Sequence, residues 1–213
     1  MKETVKTSRT AGYLEKMFRA LNEAYFDGLA EEPIITIQST PRAYGHVTVG
    51  KAWRKGQEQR RELNIGAGTL DRPIENVVAT LIHEMVHLWN LQNGIQDCSR
   101  GGAYHNKRFK AAAEARGLSI SYDPRIGWSI TQPTESLIDF VIAQGWGDIV
   151  MSRIEGGQAS RGTETGAGTG SAGTAGKPSH VRKYACPGCG CSVRATKEVH
   201  ILCMDCGLPM LLQ

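Results

Sequence analysis

The segment His83-Glu84-Met85-Val86-His87 has the residue types and the spacing of a catalytic zinc site. Two histidines four residues apart lie on the same side of a helix, where both can bind one zinc ion. A glutamate between them can then take a proton from a water molecule that the ion holds. The segment therefore predicts zinc ligands at His83 and His87 and a general base at Glu84.

The residues around this motif predict the helix that positions it. Apolar side chains recur at helical spacing within an arc of about 140°, and the two histidines lie nearly opposite. The members of this apolar stripe are Ile74, Val77, Val78, Leu81, Ile82, Met85, Leu88 and Trp89. We expect the helix to begin near residue 72, with Asp71 as its N-cap and Pro73 in its first turn, and to end at Gly94.

A catalytic zinc also needs a third protein ligand, which the downstream sequence can supply. The candidates are Asp97, Cys98, His105 and Glu114. Residues 103–115 are expected to form a short helix that Gly117 ends, with His105 and Glu114 about 180° apart on it, so that only one can face the metal. We favour His105, because Phe109 follows one turn later and can pack that side of the helix down. Glu114 is the alternative.

A second metal site is predicted from the cysteines, five of which lie beyond residue 185. Two Cys-x-x-Cys pairs separated by thirteen residues are typical of a zinc ribbon, in which four thiolates complete the coordination of a structural zinc ion. The expected ligands are Cys186, Cys189, Cys203 and Cys206. Cys191 is surplus and is expected to be a free thiol. We therefore expect two zinc ions, one catalytic and one structural.

Composition limits the class of protein. The chain has 213 residues, 40% of them hydrophobic and 22% charged, which suits one medium domain with an appendage. No run of apolar residues is long enough to span a membrane, and residues 1–8 lack the apolar core of a signal peptide. With its cysteines clustered rather than paired for disulfides, the chain is expected to be cytoplasmic, without membrane contact.

The remaining pattern predicts an α+β fold, with a small sheet beside the metal-binding helix. A first helix is expected over residues 11–27, a later strand over 127–131 and a closing helix over 136–144. The strands predicted between the first helix and the metal-binding helix cover 34–38, 45–49 and 61–65. His46, in the middle segment, is expected to be a half-buried strand residue rather than a ligand. The aromatic residues expected to pack rather than to stack on bases are Trp128 and Trp146.

Composition changes abruptly at Glu155. Eight of the 21 residues in 156–176 are glycine, and no apolar side chain there is larger than alanine, which predicts a flexible tether. We expect a metal-binding domain over 1–154, a linker over 155–180 and a zinc ribbon over 181–213.

The ribbon carries most of the chain's net charge of +4. The charged residues in and just before it are Lys177, Arg182, Lys183, Arg194, Lys197, Glu198 and Asp205, a net +3. Such a cluster fits a solvated surface and a nucleic-acid contact equally well, and Tyr184 is the one aromatic residue near it.

Taken together, these motifs resemble the SprT-like family, which includes the Spartan metalloproteases. The resemblance runs from Leu21-Asn22-Glu23-Ala24-Tyr25-Phe26 through the His83–His87 motif to His105, and the terminal ribbon resembles the module often attached to such domains. It implies a minimal zincin-like fold, zinc ligands at His83, His87 and His105, and Glu84 as the base. It also implies a role in cutting proteins that are bound or crosslinked to DNA.

The sequence thus predicts a zinc-dependent endopeptidase, a monomer, whose partners are a protein substrate and DNA. The ribbon would recruit it to nucleic acid. The alternative is a non-proteolytic, DNA-associated zinc-binding adaptor or transcription-related protein, which the ribbon fits equally well and the intact glutamate does not. The side chains that could stabilise the oxyanion are Tyr104, Arg108 and His46.

Overall fold

The computed structural model describes residues 7–40, 43–153, 182–195 and 198–213. The chain divides into two compact units, Met1–Glu155 and Gly156–Gln213. The histidine motif lies in the first unit and the cysteine pairs lie in the second. The predicted linker, 155–180, lies outside the described residues.

The described part of the first unit combines four α-helices with short strands, as expected for an α+β fold. The helices are α1 (Thr7–Phe26), α2 (Ile74–Gln92), α3 (Lys107–Glu114) and α4 (Glu135–Ala143). The strands are β1 (Ile34–Gln38), β2 (Gly45–Val47), β3 (Trp53–Lys55), β4 (Glu58–Arg60), β5 (Glu62–Gly66), β6 (Cys98–Ser99), β7 (Tyr104–His105), β8 (Leu118–Asp123) and β9 (Gly127–Pro133). The α+β prediction is therefore confirmed.

Helix α2 is the centre of this unit and contacts both of its larger sheets and the other helices. Its predicted apolar stripe from Ile74 to Leu88 is buried, and Trp89 packs partly buried beside it. The opposite side of α2 is left to the two histidines, which are half-buried. Burial of one side therefore fixes the direction in which the motif points.

The start of α2 differs from the prediction. The helix begins at Ile74, after Pro73, and no side-chain cap comes from the preceding residues. The Ile74 N–H donates instead to Asp148 Oδ1 at 2.8 Å, so Asp148, which follows α4, satisfies the first turn in place of Asp71. The end agrees with the prediction, since α2 stops at Gln92 and Gly94 adopts a φ of +67°.

The first sheet has the order β1-β5-β2. β1 runs parallel to β5, and β2 runs antiparallel to it. The second of the three predicted strands, which carries His46, therefore lies at the edge of the sheet, and His46 is exposed rather than half-buried as predicted. The order could not follow from local patterns, because β5, the last of these three strands in the sequence, lies between the other two. The sequence also did not predict the β3–β4 hairpin.

The second sheet has the order β6-β7-β9-β8 and carries the third histidine. His105 pairs with Cys98 on one side and with Gly127 on the other, so it lies on a strand and not on the predicted helix over 103–115. The reason is Asn106, whose side-chain oxygen accepts hydrogen bonds from Arg108 N and Phe109 N and caps α3. An N-cap residue is extended rather than helical, so α3 begins only after it.

The described part of the second unit consists of short strands around the cysteines. They are β10 (Arg182–Ala185), β11 (Ser192–Ala195), β12 (Leu202–Cys203), β13 (Leu208–Pro209) and β14 (Leu211–Leu212). They form a sheet of order β11-β10-β14 and a two-stranded β12-β13 ribbon. The buried residues there are Tyr184, Cys186, Cys203 and Met210. Nowhere among the described residues of the chain is a helix long and apolar enough to span a membrane.

Candidate metal centres

Three imidazole rings converge in the first unit. The Nε2 atom of His83 lies 3.2 Å from that of His87 and 3.2 Å from that of His105, and the His87 and His105 Nε2 atoms are 3.0 Å apart. His83 and His87 come from α2, whereas His105 comes from β7. The structure thus brings together the three histidines that the sequence predicts as ligands.

The hydrogen bonds of the three Nδ1 atoms show that the Nε2 atoms direct their lone pairs to the centre. His87 Nδ1 lies 2.7 Å from Asp97 Oδ2, and His105 Nδ1 faces the Ile126 carbonyl oxygen at 3.4 Å. His83 Nδ1 lies 2.8 Å from Thr131 Oγ1, whose own hydrogen goes to the Ser129 carbonyl oxygen. Each of these oxygens accepts a hydrogen bond from the Nδ1–H group of its ring, so in the neutral rings the unprotonated nitrogens are the three Nε2 atoms.

Three lone pairs that meet at such short range repel one another unless a cation lies between them. Nitrogen atoms 2.0–2.1 Å from a tetrahedral zinc ion are roughly 3.3–3.4 Å apart, close to the observed 3.0–3.2 Å. The three residues therefore fit a zinc ion, and three protein ligands leave a fourth position for water or substrate.

The surroundings keep these rings neutral. Burial, with a further contribution from the neighbouring imidazoles, holds the pKa of His83 well below its usual value and lowers that of His105 to about 4. The fully buried Phe109 closes the inner side, with its ring centroid 4.5–4.7 Å from those of all three imidazoles. Neutral imidazole is the form that binds metal, so the apolar floor favours coordination.

Asp97 and Cys98, both candidates for the third ligand, contact the Nδ1 atom of His87 instead. Asp97 accepts hydrogen bonds from His87, from Asn90 at 2.9 Å and from the Cys98 thiol. Burial alone would raise the pKa of Asp97, but these hydrogen bonds lower it, so the carboxylate stays charged. Burial beside this carboxylate raises the pKa of Cys98 to about 12 and keeps its thiol protonated. Both side chains reach His87 from its Nδ1 side, so they orient a ligand rather than bind the same ion.

Glu114, the runner-up, does not belong to the cluster. Its carboxylate lies 3.6 Å from Lys110 Nζ and is exposed to solvent. The position of His105, in contrast, is fixed by backbone pairing. Gly127 on β9 has a φ of +75°, and a Cβ there would overlap the carbonyl oxygen of His105. Only glycine allows this approach of the two strands.

Glu84 lies beside the histidine centre in a buried position. It is 5% exposed, and burial raises the pKa of its carboxyl to about 7. Edge strand β2 passes close to it, since a Cβ at Gly45 would lie 3.1 Å from Glu84 Oε1 and 2.7 Å from the Asn64 carbonyl oxygen. The glycine therefore lets the strand run against the carboxyl group.

The predicted oxyanion donors are not equivalent in the structure. Tyr104 precedes His105 on β7, and neighbouring residues of a strand point to opposite faces. The Tyr104 side chain therefore points away from the histidine centre. Its hydroxyl lies 3.2 Å from that of Tyr122. Arg108 and His46 are exposed, and His46 follows Gly45 on the strand beside Glu84.

The sequence interpretation missed the partners that hold the rings. They are Asp97, which was considered only as a ligand, Thr131 and the Ile126 carbonyl group. The first had a usable signal, because a carboxylate close in sequence to a predicted zinc-binding histidine is a common outer partner of such a ring. Thr131 had none, since it is 48 residues from His83.

In the second unit, the sulfur atoms of Cys186, Cys189, Cys203 and Cys206 lie within 4.8 Å of one another. The Gly188 N–H points at Cys186 Sγ at 3.4 Å, as expected for a zinc knuckle. Cys191 contributes a fifth sulfur, 3.6 Å from Cys203 Sγ, the same distance as that of Cys189.

The one aromatic residue of the ribbon's basic region is not available to stack on a base. Tyr184 is buried in the core of the second unit, and its hydroxyl accepts a hydrogen bond from Val199 N at 3.2 Å. Tyr184 therefore offers no exposed ring face to a base.

Comparison with known proteins agrees with this geometry. A model of the SprT-like family matches residues 14–122, just over half of the 213-residue chain. The matched range contains α2 and the three histidines of the metal centre, His83, His87 and His105. Searches of the curated proteins and of the solved structures give no significant match. The first unit carries a zinc metalloprotease-type domain, and the chain belongs to the SprT-like family.

Proposed function

We propose that this protein is a zinc-dependent endopeptidase that cuts proteins bound or crosslinked to DNA, with the ribbon recruiting it to nucleic acid. The observation that carries the proposal is the convergence of three Nε2 lone pairs beside a buried glutamate. A purely structural zinc site would surround its ion with four protein ligands, whereas this one supplies three.

The ligands would be His83, His87 and His105, and a zinc ion held there would acidify a water molecule and polarise the scissile carbonyl group. Glu84 takes the proton of the attacking water and returns it to the nitrogen of the departing amine. Asp97 and Thr131 hold two of the rings through their Nδ1 atoms, so that the Nε2 atoms keep facing the centre. Phe109 keeps water out of the inner side.

The edge strand supports a polypeptide as the substrate. Thr48 N donates to the Glu62 carbonyl oxygen, and the Tyr44 carbonyl oxygen accepts from Gly66 N, so alternate residues of this segment bond to β5. The main-chain groups of Gly45 and Val47 therefore point to the outer edge. An extended peptide that pairs with them would add a strand to the sheet and pass beside Glu84.

The ribbon supports recruitment to DNA. A basic module on the same chain raises the local concentration of the protease near DNA-bound substrates without choosing the bond that is cut. Arg182 and Lys183 lie on its first strand and Arg194 lies on the paired strand. Because Tyr184 is buried, the contact expected from the ribbon is electrostatic, and its affinity should fall as salt is added.

The test compares wild-type protein with the Glu84→Gln variant on a protein crosslinked to DNA and on the same protein free. Wild type should cut the crosslinked form faster, and a chelator should stop it. The variant should keep its zinc and lose at least about a hundredfold in cleavage rate, because the proton acceptor is gone. Cleavage by the variant at the wild-type rate would remove Glu84 from the mechanism. DNA binding without cleavage by wild type would support the adaptor instead.

A further inference from the structure

A cavity of about 410 Å³ adjoins the metal-binding strand β7. Its lining residues are Tyr104, Asn106, Lys107, Tyr122 and Trp128. Tyr104 and the ligand His105 are neighbours on the strand and point to opposite faces, so the cavity is separate from the histidine centre. Its volume lies in the range of roughly 300–1,000 Å³ that is typical of ligand sites.

The wall of this cavity is aromatic and held by contacts within the first unit. The Tyr122 and Trp128 rings have centroids 5.0 Å apart, and the Tyr104 and Tyr122 hydroxyls are 3.2 Å apart. Trp128 is partly buried against the core, which confirms the predicted packing role, yet it also lines the cavity. Tyr122 is 48% exposed. Part of the aromatic surface is therefore open to a planar ligand.

Cations surround these rings. The Arg100 guanidinium lies 4.7 Å from the ring centroid of Tyr104, and Lys110 Nζ lies 4.4 Å from that of Trp128. Lys107 lines the cavity itself. Lys110 Nζ also lies 3.6 Å from Glu114 Oε1, so Arg100 and Lys107 are the cations at the cavity that are better placed to meet a phosphate. The cavity therefore combines an apolar wall with a positive surround.

From this combination we infer that the cavity binds single-stranded DNA. A base can stack on the exposed ring of Tyr122, which Trp128 supports from beside it, while Lys107 and Arg100 neutralise the adjoining phosphates. A single strand is required, because the bases of a duplex are already stacked on one another. An apolar peptide side chain would fill the same space but would gain nothing from the cations. The choice of DNA over RNA rests on the proposed function.

The most direct test is photo-crosslinking of the full chain to oligothymidine that carries 5-iodouracil. The Glu84→Gln variant is used, so the result is independent of whether the protein is a protease. Crosslinks should map to peptides that contain Tyr104, Tyr122 or Trp128. Crosslinks confined to residues 182–213, or none, would overturn the inference.

Affinity measured by fluorescence anisotropy provides the second test, with oligothymidine, a duplex of the same length and oligouridine. Tyr122→Ala should weaken the binding of oligothymidine about tenfold, whereas Tyr122→Phe, which keeps the ring, should bind as wild type does. Lys107→Ala should reduce the slope of the logarithm of the binding constant against the logarithm of the salt concentration by about one, as expected for the loss of one phosphate contact.

The matched control is Tyr44→Ala. Tyr44 is 55% exposed and has the Arg72 guanidinium 4.1 Å from its ring centroid, but it lies outside the cavity. This variant should bind oligothymidine with wild-type affinity. An equal loss in Tyr44→Ala and Tyr122→Ala, or equal affinity for the duplex, would contradict stacking in this cavity. Preference for oligouridine would contradict the choice of DNA.

Discussion

Two of the three histidines of the first centre lie on α2, which is buried through its apolar side and not through the histidines. The cysteine centre, in contrast, is itself a large part of its unit's core. In the first unit, the apolar side of α2 is buried in the hydrophobic core, opposite the two histidines of the helix. Among the described residues of the second unit, two of the four buried ones, Cys186 and Cys203, belong to the cysteine centre. This contrast suggests that metal binding is separable from folding in the first unit and inseparable from it in the second.

The largest expected effect is the response of the two units to removal of zinc. With a chelator, amides of residues 182–213 should lose their protection against hydrogen exchange, because the thiolates then repel and little apolar core remains. Amides of α2 should stay protected. Hydrogen exchange followed by mass spectrometry on the full chain measures both. Loss of protection in α2 at the same chelator concentration would contradict the contrast.

Two cysteine variants serve as controls for that experiment. Cys203→Ser removes a ligand and should expose the second unit even with zinc present. Cys191→Ser should leave it protected, because the carbonyl oxygen of residue 191, which accepts from Cys186 N at 2.8 Å, belongs to the main chain and is kept in the variant. Equal effects of the two variants would make Cys191 a ligand.

A smaller effect is expected from Asp97→Asn. The variant keeps the shape of the side chain but loses the charge that orients His87, so the zinc affinity of the first centre should fall by about 10- to 100-fold. Competition with a chromophoric chelator measures it, and the affinity of the cysteine centre should not change. The control is Glu114→Gln, an exposed carboxylate on α3, which should bind zinc as wild type does. Unchanged affinity in the Asp97 variant would show that His87 needs no partner.

The smallest effect concerns the start of α2. Asp148→Ala removes the acceptor of the Ile74 N–H and should lower the free energy of unfolding of the first unit by about 1 kcal/mol. Asp71→Ala, at the position that the sequence favoured, should change it little. Thermal unfolding of both variants in the full chain decides between them, and the reverse order would restore Asp71 as the cap.

These residues also show what the sequence could predict. The motif, the apolar stripe and Gly94 all lie within one helix, so local periodicity was sufficient for α2. The cysteine pairs were equally local. The cap of α2 was not, since Asp148 is 74 residues from Ile74.

The element that carries His105 was predicted wrongly for the same reason. The alanine-rich segment after residue 106 favours a helix, and nothing local shows that pairing with Cys98 and Gly127 holds His105 in a strand. The residue was nevertheless singled out as the candidate, because the predicted zinc site lacked a third ligand and few side chains could supply it, and the structure places it beside His83 and His87. The need for a third metal ligand thus pointed to His105, although the helical periodicity assigned that residue to the wrong kind of element.

The most direct test of the account is the zinc content of the His105→Ala variant, measured together with its cleavage of a DNA-crosslinked protein. We expect two zinc ions per wild-type chain, and one zinc ion and no cleavage in the variant, with amides of α2 still protected. Two zinc ions and wild-type cleavage in the variant would contradict the claim that three imidazoles hold the catalytic ion.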